Sequence, residues 1–429
     1  MLEKMFHLKE KKTDVRTEVL AGVTTFMTMA YILFVNPDIL SAAGMPFGPV
    51  MTATAVSAGL TTILMGLVTN YPFALASGMG LNAMFAFAVA PVAGWKAALG
   101  VVFISGILFL LLAVFGIIDY IDAAIPGGLK RATSAGIGLF IALIGLVNAK
   151  IIVTNPATLV ALGNLREPET LLAVIGLIII AVLMSLRVRG AILVGILLTT
   201  VISFFMGISA FPTGFSDIIG MPAGLGPIAF HFDLAGALQL GFMTVFAFAF
   251  VDIFDTMGTL LGTGARAGFL DQEGRLPKVK EAMIVDAIGT VLGSLVGTST
   301  VTTYVESTAG VSEGGRSGLT AVVVGILFLA SLLLAPLAGL VPGAATAPAL
   351  IIVGVLMMGA VTGIDFNDFT EAFPAFATII FMPFTYSIAN GIAAGFITYP
   401  IVKLAAGRSQ EVHWFTYVLA FISLVHFAI

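Results

Sequence analysis

Long apolar runs, each close to the length a bilayer demands, alternate with short polar or glycine- and proline-containing breaks along almost the whole chain. A helix needs roughly 20 apolar residues to cross the hydrocarbon core. By that measure the first half offers runs near 20–36, 49–69, 72–90, 97–118, 131–148, 168–186 and 190–209. After a polar connection near 210–235, the second half offers 236–258, 279–296, 298–315, 318–340, 346–362, 372–404 and 411–428. The pattern predicts an all-α polytopic membrane protein of about fourteen transmembrane segments. The run 372–404 is too long for one simple crossing, and Pro383, Asn390 and Gly391 mark a break inside it.

The halves correspond. Shifting a first-half segment by about 215–225 positions lands on a second-half segment in the same order, with the polar anomalies in matching places. Seven segments per copy turn the second copy upside down, which predicts 7+7 inverted repeats. The matching interruptions are 71–82, with Pro72, Gly78 and Gly80, and 297–306. Each reads as a short strand leading into a half-helix, in segments 3 and 10, with Asn82 and Glu306 in equivalent places. Strands at membrane depth are tolerable only when covered, and these two could pair to supply each other's hydrogen bonds.

Composition agrees with this class and narrows the functions. Of 429 residues, 59% are hydrophobic and only 10% charged, against about 25% charged in soluble domains. The 48 glycines let helices approach closely. There is no cysteine, hence no disulfide or thiolate metal site. No Gly-rich phosphate loop ending in Gly-Lys occurs, which weighs against ATP-driven pumping. The net charge of −4 defines no partner class, and no nucleic-acid partner is expected. Residues 1–18 are charged and lack an early apolar stretch, so the first run is expected to remain as a mature helix in a cell membrane.

The positive-inside rule favours a cytoplasmic N-terminus. Lys4, Lys9, Lys11, Lys12, Arg16, Lys130, Arg131, Arg187, Arg189, Arg266, Arg275, Lys278, Lys280 and Arg316 then face inward. Lys96, Lys150, Arg166, Lys403 and Arg408 face outward, the last two fitting least well.

Ionisable groups inside hydrocarbon mark functional sites by default. Asp252 and Asp255 end the apolar run from Leu238 and, three apart, share one helix face. One would bind substrate or a proton and the other orient it; the plain alternative is that Asp255 has already reached the membrane surface. Glu306 follows the Thr-rich strip 298–303 and opens a half-helix whose free N–H groups and positive dipole end suit a ligand. Thr303 and Asn82 would complete the polar shell, and Phe254 could offer a flat ligand a stacking face, though ordinary contact explains most aromatics here. Glu313 and Arg316 read as an ion pair, Asn36-Pro37 as a helix stop, and Asp286 as either a buried partner or an interfacial residue. His7, His231, His413 and His426 show no metal-ligand spacing, and no metal or cofactor is expected. Carboxylates beside an amide and backbone N–H groups suit a small neutral or weakly acidic heterocycle. A buried carboxyl can also carry a proton.

Four stretches carry a resemblance: 21–31 (AGVTTFMTMAY), 78–83 (GMGLNA), 254–259 (FDTMGT) and 298–307 (TSTVTTYVES). Together they resemble the azaguanine-type adenine/guanine/hypoxanthine permeases of the nucleobase–cation symporter group, over essentially the whole chain. The resemblance implies the uracil-permease fold: a moving core of residues 1–118 and 236–340, and a gate of residues 119–209 and 346–429, often dimeric. It implies a proton-coupled purine nucleobase importer and not an enzyme, with Na⁺ as a possible replacement for H⁺. Glu306 falls on the family's substrate-binding acid, Asp252 and Asp255 on its helix-eight aspartates and Asn82 on its third-segment asparagine. Of the two aspartates, Asp252 is expected to carry the proton. The rival readings are an anion exchanger on the same fold and an intramembrane aspartyl protease. The protease is disfavoured by the inverted repeats and by the lack of a Gly-x-Gly-Asp element.

Overall fold

The structure, a computed structural model, describes residues 2–272 and 275–428. The first half runs α1 (Leu2–Phe6), α2 (Val15–Met29), α3 (Ile32–Ala42), α4 (Phe47–Thr69), β1 (Leu75–Ser77), α5 (Met79–Ala83), α6 (Ala90–Val114), α7 (Ile118–Ala124), α8 (Gly127–Asn148), β2 (Ile152–Asn155), β3 (Leu159–Leu162), α9 (Pro168–Ser185) and α10 (Ala191–Phe205). The second runs α11 (Leu234–Gln239), α12 (Phe242–Ala267), α13 (Val279–Val296), β4 (Val301–Thr303), α14 (Ser307–Ser312), α15 (Gly318–Ala330), α16 (Ala335–Ala338), α17 (Gly343–Met358), α18 (Phe369–Phe384), α19 (Ile388–Ala405) and α20 (Trp414–Ala428). Among the described residues, nine helices are long and apolar enough to cross a bilayer, and α10, α18 and α20 are shorter apolar helices. This is a multi-pass membrane protein.

Exchanging the two halves preserves the neighbours. α15 lies on α4 and α2, as α6 lies on α13 and α12; α4 and α13 touch each other at the centre. In a second group α8 pairs with α17, with α18 against α8 and α9 against α17. The closest approach within the first group is at Gly66 and Gly318, where a Cβ on either glycine would strike the other helix's backbone.

Side chains tie the broken ends together. Asn70, left-handed at φ 58°, ends α4, and its amide bridges Phe6 O at 3.0 Å and Gly318 N at 2.7 Å. Glu18 is wholly buried and accepts from Arg316 N, Ser317 N, Thr320 N and Thr320 Oγ1. A carboxylate thus answers the unpaired N–H groups and positive end of α15.

The structure departs from the sequence reading at five places. The first run bends at Ala30–Tyr31, not at Asn36-Pro37, and Pro37 sits inside α3. Asn36 instead donates from Nδ2 to Thr54 and Thr298 at 2.7 and 2.9 Å, joining three elements. The run 372–404 breaks, as expected, between Pro383 and Asn390, but into two full helices that the sequence reading counted as one segment, because Tyr386 adopts φ 51° and Ser387 caps α19. After them α20 packs against α19. A hairpin, β2–β3, occupies 152–162, which hydropathy had left as a connection. The strands begin at Leu75 and Val301, which makes Gly80 the counterpart of Glu306 and moves Asn82 two residues on.

The fifth is Lys403 and Arg408. Lys403 pairs with Glu371 at 2.8 Å and Glu411 at 2.9 Å, and Arg408 with Asp368 and Glu411, both at 2.6 Å. Arg131 reaches Gly363 O, a few residues before Asp368, and Trp414 donates to Tyr120 of α7, next to Lys130. Both cations therefore lie at the end that carries Lys130 and Arg131. Splitting 372–404 into two antiparallel helices reverses their side.

Candidate functional site

Two broken segments meet in the protein interior, every strand residue buried. β1 and β4 pair antiparallel, Leu75 opposite Thr303 and Ser77 opposite Val301. Gly78 N donates to Thr300 O and Tyr304 N to Ala74 O, extending the pairing at both ends. A two-stranded ribbon has two open edges, which hydrocarbon cannot satisfy. Here a threonine from each repeat closes one: Thr62 of α4 accepts from Leu75 N and donates to Leu75 O, both at 2.9 Å, and Thr290 of α13 accepts from Val301 N at 3.3 Å. Tyr304 donates to Ser77 O, and Ser307 Oγ accepts from Ala74 N at 3.0 Å. The β-branched strip read from the sequence is thus a strand, and α5 and α14 begin where the strands stop.

A cavity of about 260 Å³ opens against this ribbon. Asp255, Glu306, Tyr31, Thr303, Gly78 and Ser134 supply its polar and backbone lining, with Thr259 one turn beyond Asp255. Glu306 occupies the cap position of α14, and Tyr31, at the α2–α3 bend, donates its hydroxyl to Glu306 Oε1 at 2.9 Å. Val353, Leu356 and Met357 of α17 face these groups, so the cavity lies between the two packing groups. No Lys, Arg or His is among its lining residues. It shares Ser134, Asp255 and Met357 with a space of about 430 Å³ lined also by Asp122, Lys130 and Arg131, and Glu306 and Leu356 with one of about 770 Å³ lined also by Arg187, Arg189 and Arg266. The neighbouring spaces thus lie toward the basic end. At the opposite end Thr346 of α17 donates to Asp38 of α3 at 2.6 Å, joining the groups.

Of the residues singled out in the sequence, Glu306, Asp255 and Thr303 line the cavity. Phe254 lines the neighbouring space, under the Lys130 ammonium at 5.4 Å from its ring centroid. Asp252 does not line it: buried at 1% exposure, it accepts from Thr290 at 2.7 Å. Asn82 is also buried behind the lining, its Oδ1 taken by Ser77 and its Nδ2 without a partner. Glu313 pairs with Arg189 of the α9–α10 connection, and Arg316 with backbone carbonyls, so they do not pair with each other. Sequence reasoning missed Tyr31 and Ser134. Tyr31 ends the first of the family-like stretches, which was a usable signal; an isolated serine in an apolar helix was not.

Residues 16–394 match the Xan_ur_permease model, the permease family. The chain belongs to this permease family. It is 47% identical over 414 residues to the adenine permease AdeP of Escherichia coli, covering 96% of this chain and 92% of that one. To the guanine/hypoxanthine permease PbuO of Bacillus subtilis it is 44% identical, covering 98% and 99%. Among solved structures, the transmembrane domain of the cyanobacterial bicarbonate transporter BicA superposes at a TM-score of 0.69 and 18% identity, over 89% of this permease and 97% of that chain. The last likeness concerns the fold. The permease is accordingly a transporter and not an enzyme.

Proposed function

We propose that this permease imports purine nucleobases in symport with protons, by an elevator movement. The observation that carries the reading is that Asp255 and Glu306, from different helices, line one small cavity between the packing groups. Relatives named for adenine, guanine and hypoxanthine support the substrate class. Ligand sites typically enclose roughly 300–1,000 Å³. A cavity of about 260 Å³ suits a bare bicyclic base better than a nucleoside. A carboxylate accepts two adjacent N–H groups, the edge a purine offers.

Residues 1–118 and 236–340 form the core that moves with the base; residues 119–209 and 346–429 form the gate, whose α17 covers the cavity. The basic end is cytoplasmic by the positive-inside bias, which makes this an inward-open state closed outside by Asp38 and Thr346. Glu306, Asp255, Tyr31 and Thr303 bind the base. The anion alternative suits the bicarbonate for which BicA is named, but two carboxylates without a cation would repel an anion here.

The test is uptake of radiolabelled adenine, guanine and hypoxanthine by cells making the permease, with and without a protonophore. Saturable, protonophore-sensitive uptake is expected. Bicarbonate or sulfate flux without purine competition would overturn the substrate class. Glu306→Ala should abolish uptake while leaving the protein in the membrane, and normal uptake would remove Glu306 from the site.

A further inference from the structure

Two carboxyls lie outside the cavity and have no role in it. Asp252 on α12 and Asp286 on α13 are 1% and 0% exposed. Hydroxyls stand against both: Thr290 donates to Asp252 Oδ2 at 2.7 Å and Thr303 to Asp286 Oδ1 at 3.0 Å, and the Thr256 hydroxyl also stands against Asp286. Asp252 Oδ1 and Asp286 Oδ2 have no partner. Thr290 follows Asp286 by one helical turn, so its bond to Asp252 brings both acids to one face of α13, where Asp286 feels the charge of Asp252 and Asp252 that of Asp255.

No cation answers them among the described residues. α4 carries no charged residue; Lys96 of α6, Lys280 of α13 and Arg266 of α12 stand at exposed helix ends. The other acids nearby, Asp255 on α12 and Glu306 at the start of α14, belong to the cavity, and Glu281 is exposed at the first turn of α13. Two bare carboxylates in such a space cost several kcal/mol, whereas one proton removes a charge and turns an unpartnered oxygen into a donor.

The fold does not ask for this pair. Thr62 closes the β1 edge as Thr290 closes the β4 edge, and one turn before Thr62 stands Ala58, buried and apolar, where the second repeat has Asp286. The acids are an addition to one repeat. Thr303 connects them to the cavity, since it lines the cavity and donates to Asp286.

We propose that Asp252 and Asp286 together hold the proton that travels with the substrate, at a site separate from the substrate cavity and linked to it through Thr303. The inference rests on the symport reading. On the loading face a proton from water forms an O–H bond with one oxygen of the pair. On the unloading face that bond breaks and the proton returns to water.

The experiment uses purified permease in liposomes, with labelled adenine, guanine or hypoxanthine as probe, whichever the wild type takes up. Wild type should accumulate the base under an inward-directed acid gradient. Asp286→Asn should lose that accumulation at least tenfold yet keep exchange of external for internal base, and Asp252→Asn should lose the accumulation too. Undiminished gradient-driven accumulation by either variant would overturn the proposal. So would accumulation driven by Na⁺ and indifferent to the pH gradient. Infrared titration of the wild type needs no variant: a protonated-carboxyl band that persists above the range of surface acids is expected, and its absence would overturn the proposal. If wild type moves none of the three bases, the purine reading fails, while the infrared band still judges the proton site.

Discussion

The Tyr31 hydroxyl donates to Glu306 Oε1 at 2.9 Å across the gap between the α2–α3 bend and the start of α14. The bond fixes one oxygen of the acid and leaves the other for a ligand. A hydrogen bond to a charged group contributes about 1.5–3 kcal/mol. Tyr31→Phe should therefore raise the apparent Km for the transported base by about tenfold or more with less effect on the maximal rate. Uptake kinetics in matched membranes read this directly; an unchanged Km would detach Tyr31 from substrate positioning.

Asp255 and Asp252 should separate in a binding assay. Asp255 lines the cavity and Asp252 is held behind the lining by Thr290. Asp255→Asn should weaken base binding about 100-fold, as expected for losing a charge-assisted contact in a site shielded from water. Asp252→Asn should leave the Kd within about threefold, a change below 1 kcal/mol. Calorimetry on detergent-purified protein would decide, and equal losses would mean that both acids touch the base.

How much of this was legible in the sequence follows from what periodicity and polarity encode. Hydropathy placed the segments, and Pro72, Gly78 and Gly80 with the Thr-rich strip placed the two interruptions, because breaks in an apolar run have few other causes. The sequence could not rank Asp252 against Asp255. Three residues on a helix leave them within about 60° of one another, and only the position of β4 decides which meets the cavity. Arg408 was misplaced for a different reason. The break at Tyr386 rests on a left-handed backbone residue, and missing one reversal inverts everything after it.

That inversion can be tested, and the absence of cysteine gives a clean background. Single substitutions Lys12→Cys, Arg408→Cys and Lys150→Cys should sort by labelling with a membrane-impermeant maleimide. Lys12→Cys and Arg408→Cys should label from the same face and Lys150→Cys from the other. Arg408→Cys labelling with Lys150→Cys would restore the hydropathy topology.

Acid should loosen the charge cluster that holds α18 and α19 together at the basic end. Hydrogen bonds from Arg408 and then Lys403 hold the Glu411 carboxyl down at about 2, against an ordinary value of 4.5. Asp368, bonded by Thr370 and Arg408, is also held below the usual carboxylate range. Because the folded values are depressed, their stabilisation is present above the ordinary value and is lost as pH falls towards about 2. The melting temperature in detergent should fall between about pH 5 and pH 2, and Glu411→Gln should flatten part of that slope. An identical slope in the variant would place the acid sensitivity elsewhere.

Arg189 and Glu313 join the α9–α10 connection to the end of α14, across the two packing groups and beside the space that lies toward the basic end. Both groups keep contact with water, so the pair contributes little to stability, about 0–1 kcal/mol. A contact that weak can form and break within a transport cycle, and an elevator must break it when the core slides past the gate. Arg189→Cys with Glu313→Cys, joined by a short bifunctional thiol reagent that a reductant cleaves, should stop uptake while preserving base binding. Reduction should restore uptake, and each single variant should be insensitive to the reagent. Undiminished uptake by fully cross-linked protein would mean that the core and gate do not move against each other at this contact, and the elevator reading would fail.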